Sequence, residues 1–114
     1  MVEVAWQEDH NGLIWSLHCS GHAGFDQDLD LVCAAVSALT GALGLGFSRV
    51  LTIPVELQAG DGSFGLQLFP RQPDHAEFSA AQVLLRTTVL ALSEMIQHYP
   101  GFIRRKPGEE SPYE

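Results

Sequence analysis

The sequence predicts an α+β fold: a two-layer sandwich in which a mostly antiparallel sheet carries two helices on one face. Three observations carry that reading. Apolar and polar residues alternate over 2–7 and again over 13–20, the period of half-buried strands. Two long apolar segments, 31–49 and 80–98, run without an internal proline, as helices do. Turn residues punctuate the chain between these segments and give the order β-β-α-β-β-α(-β).

Val2, Val4 and Trp6 form the buried side of the first strand. Asn11-Gly12 is a hairpin signal, because both residues tolerate positive φ. In the second strand Leu13, Trp15, Leu17 and Cys19 share one face, and Ile14, Ser16, His18 and Ser20 the other. Gly21-His22-Ala23-Gly24 ends it, and an acidic loop with Asp26, Asp28 and Asp30 comes next. Asp30 is a natural N-cap for the helix over 31–49. Gly41, Gly44 and Gly46 each weaken that helix by roughly 1 kcal/mol relative to Ala, so they predict close approach of another element.

Pro54 closes this unit, and a second hairpin, 53–59 with 64–69, turns around Gly60-Asp61-Gly62-Ser63. Ser79 with Gln82 makes a capping box for the helix over 80–98, which Pro100 stops. A short last strand is expected at Phe102-Ile103-Arg104. The expected organisation is a single domain over 1–106 and a disordered acidic tail over 107–114. The second helix is apolar on more than one stripe, more than one sheet can cover. A homodimer with helices in its interface is therefore expected.

Composition narrows the function. A chain of 114 residues holds one core. Six basic against 14 acidic side chains, a formal net charge of -8, argue against a nucleic-acid binder. Two cysteines do not make a disulfide scaffold. Met1-Val2-Glu3-Val4-Ala5-Trp6 lacks the basic-then-apolar pattern of a signal peptide. No uncharged apolar run reaches the length of a membrane span, 34–47 coming nearest. The expectation is a cytoplasmic protein with neither nucleic acid nor membrane as partner.

The chemistry concentrates in Gly21-His22-Ala23 and in Asp30-Leu31-Val32-Cys33-Ala34-Ala35-Val36-Ser37. On the predicted boundaries Cys33 falls in the first turn of its helix, where free N–H groups and the dipole stabilise a thiolate. If the loop folds back, His22 reaches Cys33 and deprotonates it. Ser37, four residues on, shares the helix face of Cys33, and Asp30 can cap the helix or orient His22. Gly21, Ala23 and Gly24 leave room for a substrate, and Asp26 and Asp28 would attract a basic one.

Other readings compete with this one. A cysteine near a helix start is often a small buried hydrophobe, and a loop histidine is often only solvated. His18, Cys19, His22 and Cys33 are zinc-ligand types, but His18 and Cys19 point to opposite strand faces. At most three can converge, which leaves only an open metal site and rules against a closed structural one. Asp26-x-Asp28-x-Asp30 opens like a calcium loop, yet Leu31 stands where glycine is required and Ser37 where glutamate is, which excludes it. No cofactor or metal is expected. Cys19 reads as core.

With the two motif halves in this order, the sequence resembles the ribosomal-processing cysteine proteases, the Prp family. Tyr99-Pro100 and the short strand after it extend the resemblance over nearly the whole domain. Where the family commonly has a glycine two residues before the acidic position, this chain has Asp28. The resemblance implies a small α/β sandwich that dimerises through helices. It implies removal of a short N-terminal extension from a bacterial large-subunit ribosomal protein, cut after an aromatic residue and before an alanine-led mature end. Cys33 would be the nucleophile and His22 the general base and acid, with Asp30 and Ser37 in supporting positions. The implied partner is the ribosomal protein precursor. A non-catalytic dimeric module bound to the ribosome is the alternative.

Overall fold

The computed structural model describes residues 1–21 and 27–106. Its elements run β1 (Val2–Glu8), β2 (Ile14–Ser20), α1 (Gln27–Leu45), β3 (Glu56–Gly60), β4 (Ser63–Gln67), α2 (Phe78–His98) and β5 (Ile103–Arg105). The five strands form one sheet in the order β3-β4-β2-β1-β5. Every neighbouring pair is antiparallel except β1 with β5, which is parallel. The expected α+β sandwich and its element order are therefore present. The expected 107–114 tail lies outside the described residues.

The core lies between the sheet and the helices. Val4, Leu17, Leu66, Leu85, Leu92 and Ile103 are its largest fully buried side chains. Alternation puts Val4 opposite Cys19, Trp6 opposite Leu17, and Phe64 opposite Cys19 on this face. His18 and Ser20 face the other way and are exposed. Ile14 is also buried, unlike the expectation from alternation, because the ladder shifts register between Gln7 and Glu8 beside it. The β1–β2 turn is fastened by Asp9, whose carboxylate accepts the N–H groups of Asn11 and Leu13 and the indole N–H of Trp15. Desolvation pushes this carboxyl up, but the hydrogen bonds from Trp15, Leu13 and Asn11 together hold it below its ordinary value.

Both helix starts differ from the sequence reading. α1 begins at Gln27, so Asp28 and Asp30 belong to the helix and Asp30 is not its N-cap. The acidic stretch is thus partly helical rather than a loop. α2 begins at Phe78, after Glu77, and has no side-chain cap hydrogen bond, so Ser79 and Gln82 form no capping box. Gln82 is instead buried and grips β2: it accepts the Ile14 N–H at 2.9 Å and donates to the Ile14 carbonyl at 2.8 Å. Glu77 accepts the N–H groups of Thr52 and Ile53, which ties the segment after α1 to the start of α2.

α1 runs on into a π-helical turn, Gly46–Val50, closed by the Leu51 N–H on the Gly46 carbonyl at 2.8 Å. Two of its three predicted close approaches are present. A Cβ on Gly44 would lie 3.5 Å from Phe64, and one on Gly46 would lie 3.1 Å from Leu84 of α2. Contrary to the expectation from the sequence, Asp30–Val50 is long and apolar enough to cross a membrane by length and composition, since the uncharged run extends over 31–48 and is not confined to 34–47. Its buried stripe, Val32, Val36, Thr40, Leu43 and Phe47, gives it the pattern of a core helix packed on a sheet.

Candidate active site

A cavity of about 350 Å³ opens between α1 and the end of the sheet where β2 finishes and the β3–β4 hairpin turns. Cys33, Ser37, Gly41 and Gly44 line it from α1, spaced so that one helix face meets it. Cys19 and Phe64 line it from the sheet, Leu57, Ala59 and Gly60 from β3, and Ser20 and Gly21 from the end of β2. A Cβ on Gly41 would have nothing within 4 Å. The third glycine of α1 therefore leaves the cavity open rather than admitting a neighbour.

Gly21 is fixed by two constraints. Its φ of +153° is disfavoured for side-chain-bearing residues, and a Cβ there would lie 2.8 Å from the Val2 Cα. Its N–H donates to the Gly62 carbonyl at 2.9 Å, joining the end of β2 to the β3–β4 turn. The first half of the motif thus starts on the rim of the cavity that the second half lines. His22, Ala23, Gly24 and Asp26 lie outside the described residues.

The two thiols of this cavity differ in kind. Cys19 is buried, and burial pushes its thiol up to about 12, so it stays protonated and inert at neutral pH. Cys33 is half-buried and open to the cavity. Its position corrects one expectation. With α1 starting at Gln27, Cys33 is its seventh residue rather than a first-turn one. The unpaired N–H groups and the dipole act mainly within the first turn. The helix start therefore offers neither strong thiolate stabilisation nor a ready oxyanion site at Cys33.

Ser37 lines the cavity as expected, one turn beyond Cys33. Asp30 is exposed on α1 and does not contribute to the cavity wall. The walls from β3 and β4 were not legible in the sequence as part of the site. Their only signal was the run of helix glycines, which announced an approach without naming the partner. Among the described residues no three His, Cys, Asp or Glu side chains converge as a metal site. His18 projects from the opposite sheet face to Cys19, near Gly65.

An α+β sandwich with a thiol open to a cavity is compatible with a cysteine hydrolase, although the fold alone does not assign one. The family model described as Cysteine protease Prp matches residues 1–104, and the chain belongs to that family of cysteine proteases. Among solved structures it is similar to an essential ribosomal processing protease Prp from S. aureus in complex with a substrate peptide. The two chains are 20% identical, with a TM-score of 0.79 over 96% of this chain and 100% of that one. The same S. aureus protease with a covalently linked product peptide gives 21% identity and 0.76, covering 96% of this chain and 100% of that one. SMU.848 from Streptococcus mutans gives 24% identity and 0.72, covering 96% of this chain and 99% of that one. These likenesses show a common fold. No curated protein matches the chain.

Proposed function

We propose that this protease removes the N-terminal extension of a bacterial large-subunit ribosomal protein, in the cytoplasm, with Cys33 as nucleophile and His22 as general base. The observation that carries the reading is the meeting of both motif halves at one cavity: Gly21, which leads into His22, and Cys33 with Ser37 line the same space. A peptide as occupant is in keeping with the S. aureus relative, whose structures hold a substrate peptide and a covalently linked product peptide.

In this mechanism His22 takes the Cys33 proton, and the thiolate attacks the scissile carbonyl to form a tetrahedral intermediate. The imidazolium then protonates the leaving amine, and a thioester remains on Cys33. Water, deprotonated by His22, releases the acyl group and restores the thiol. Because Cys33 lies beyond the first turn of α1, activation falls to His22 rather than to the helix dipole. Ser37 supplies a hydroxyl beside the reacting centre. Gly21, Ala23 and Gly24 would give the substrate room. The net charge of -8, with Asp26, Asp28 and Asp30 just ahead of Cys33, favours a basic peptide.

A homodimer through the helices forms part of the proposal. Leu31, Ala34, Ala35, Ala38, Ala42 and Leu45 of α1 are all exposed, as are Val83 and Leu90 of α2. A second copy would cover this apolar surface.

The test is cleavage of the N-terminally extended ribosomal protein by wild type and by Cys33→Ala, read by mass spectrometry. A single cut, reduced at least about a thousandfold in the variant, is expected for loss of a nucleophile. Binding without a cut by either protein would turn the assignment toward the non-catalytic module.

A further inference from the structure

β3 is a free edge of the sheet, and its geometry makes that edge part of the cavity. The β3–β4 hairpin closes with Gly60 opposite Ser63 across Asp61-Gly62. In an antiparallel ladder hydrogen-bonded and non-bonded pairs alternate, so Gly60, Gln58 and Glu56 exchange bonds with β4. The neighbouring ladder has the matching phase. The Leu68 N–H bonds the Trp15 carbonyl at 2.9 Å, so Leu68, Leu66 and Phe64 point their backbone groups at β2, and Gln67, Gly65 and Ser63 at β3.

Leu57 and Ala59 are left with N–H and C=O directed away from the sheet. Among the described residues neither has a backbone partner on that side. Their side chains line the cavity that Cys33 enters. The same two residues therefore offer unfilled ladder positions and a wall of the site. Exposed edges are usually blocked by lysine, proline or a bulge. β3 has none of these within Glu56–Gly60, and all five residues are exposed.

We propose that the peptide substrate binds as an added strand on β3, exchanging backbone hydrogen bonds with Leu57 and Ala59. Strand addition depends on the protease reading only for the chemistry after binding. The strand places alternate peptide side chains on the helix side of the sheet, toward the Cys33 cavity. Recognition then lies largely in the peptide backbone, with exposed Glu56 and Asp61 at the two ends of β3 favouring basic flanks. Such a substrate must be extended over several residues, as an unfolded N-terminal extension is and a folded domain is not.

The experiment measures binding of a fluorescein-labelled peptide spanning an aromatic–alanine junction, by anisotropy, to the full chain carrying Cys33→Ala. Adding Ala59→Pro removes one outward donor without touching the β4 ladder, a substitution that edge strands tolerate. It should weaken binding about tenfold, the effect of one lost backbone bond. Gln58→Thr, whose backbone already serves β4, should stay within about twofold. In a scan of N-methylated peptides, methylation should weaken binding at every second position. Unchanged binding to Ala59→Pro, or uniform tolerance of N-methylation, overturns strand addition. Should Ala59→Pro fail to fold, the scan against the unaltered edge decides alone. A peptide that shows the alternating pattern but is never cut by wild type sinks the protease reading and leaves strand addition standing. One that is cut without the pattern does the reverse, and failure to bind at all overturns strand addition.

Discussion

The two helices share one face of the sheet and are built on opposite plans. α2 buries Ala81, Gln82, Leu85, Thr88, Val89 and Leu92 in a stripe, and Gln82 pins it to β2 by two hydrogen bonds. Near its start Phe78 packs on Trp15 with ring centroids 5.4 Å apart, and Trp15 is held in turn by Asp9. α1 carries no charged residue between Asp30 and Arg49, and its inward face meets a cavity as well as a core. The contrast teaches where each property resides. Stability is concentrated where packing is complete, and the proposed chemistry sits where packing has been left open.

The comparison breaks if the helices respond alike to substitution. Leu85→Ala, at a fully buried position, should lower the unfolding free energy by about 3 kcal/mol in urea denaturation. Cleavage per folded molecule should hold. A loss near zero would remove α2 from its anchoring role. Gly41→Leu should act in the opposite sense. A side chain there enters open space, so helix propensity alone should stabilise the fold by up to about 1 kcal/mol. It should also lower kcat/KM about tenfold by filling the cavity. Destabilisation with cleavage intact would mean that the cavity is core and not cleft.

The smallest effect sharpens the α2 side. The Asp9 carboxyl is held below its ordinary value in the fold, so its contribution to stability is complete above the unfolded value. It is lost as pH falls through the lower, folded value. Stability measured below about pH 4 should therefore fall less steeply in Asp9→Asn than in wild type. Parallel curves would show that the turn carboxylate does not couple to folding.

Sequence patterning reached the element order because period-2 and helical segments are local properties. Helix starts were harder to read. Asp26, Asp28 and Asp30 all have the residue type of a cap, so type alone does not choose where the helix starts. Gln82 stands at capping-box spacing from Ser79, yet a buried bond to a residue 68 positions away overrides that local rule. Cys33 and Ser37 could be placed together because one helix face joins them. Leu57, Ala59 and Phe64 could not, since their presence at the cavity arises from β4 pairing with β2.

The parallel pairing of β1 with β5 sets Val2 beside Ile103 and Val4 beside Arg105. A contact this distant along the chain cannot form until synthesis has passed β5. Val2 also lines the cavity. Completion of this part of the cavity wall is therefore tied to the emergence of β5. A growing chain would form the α1 side of the cavity before the strand that backs Val2 is in place.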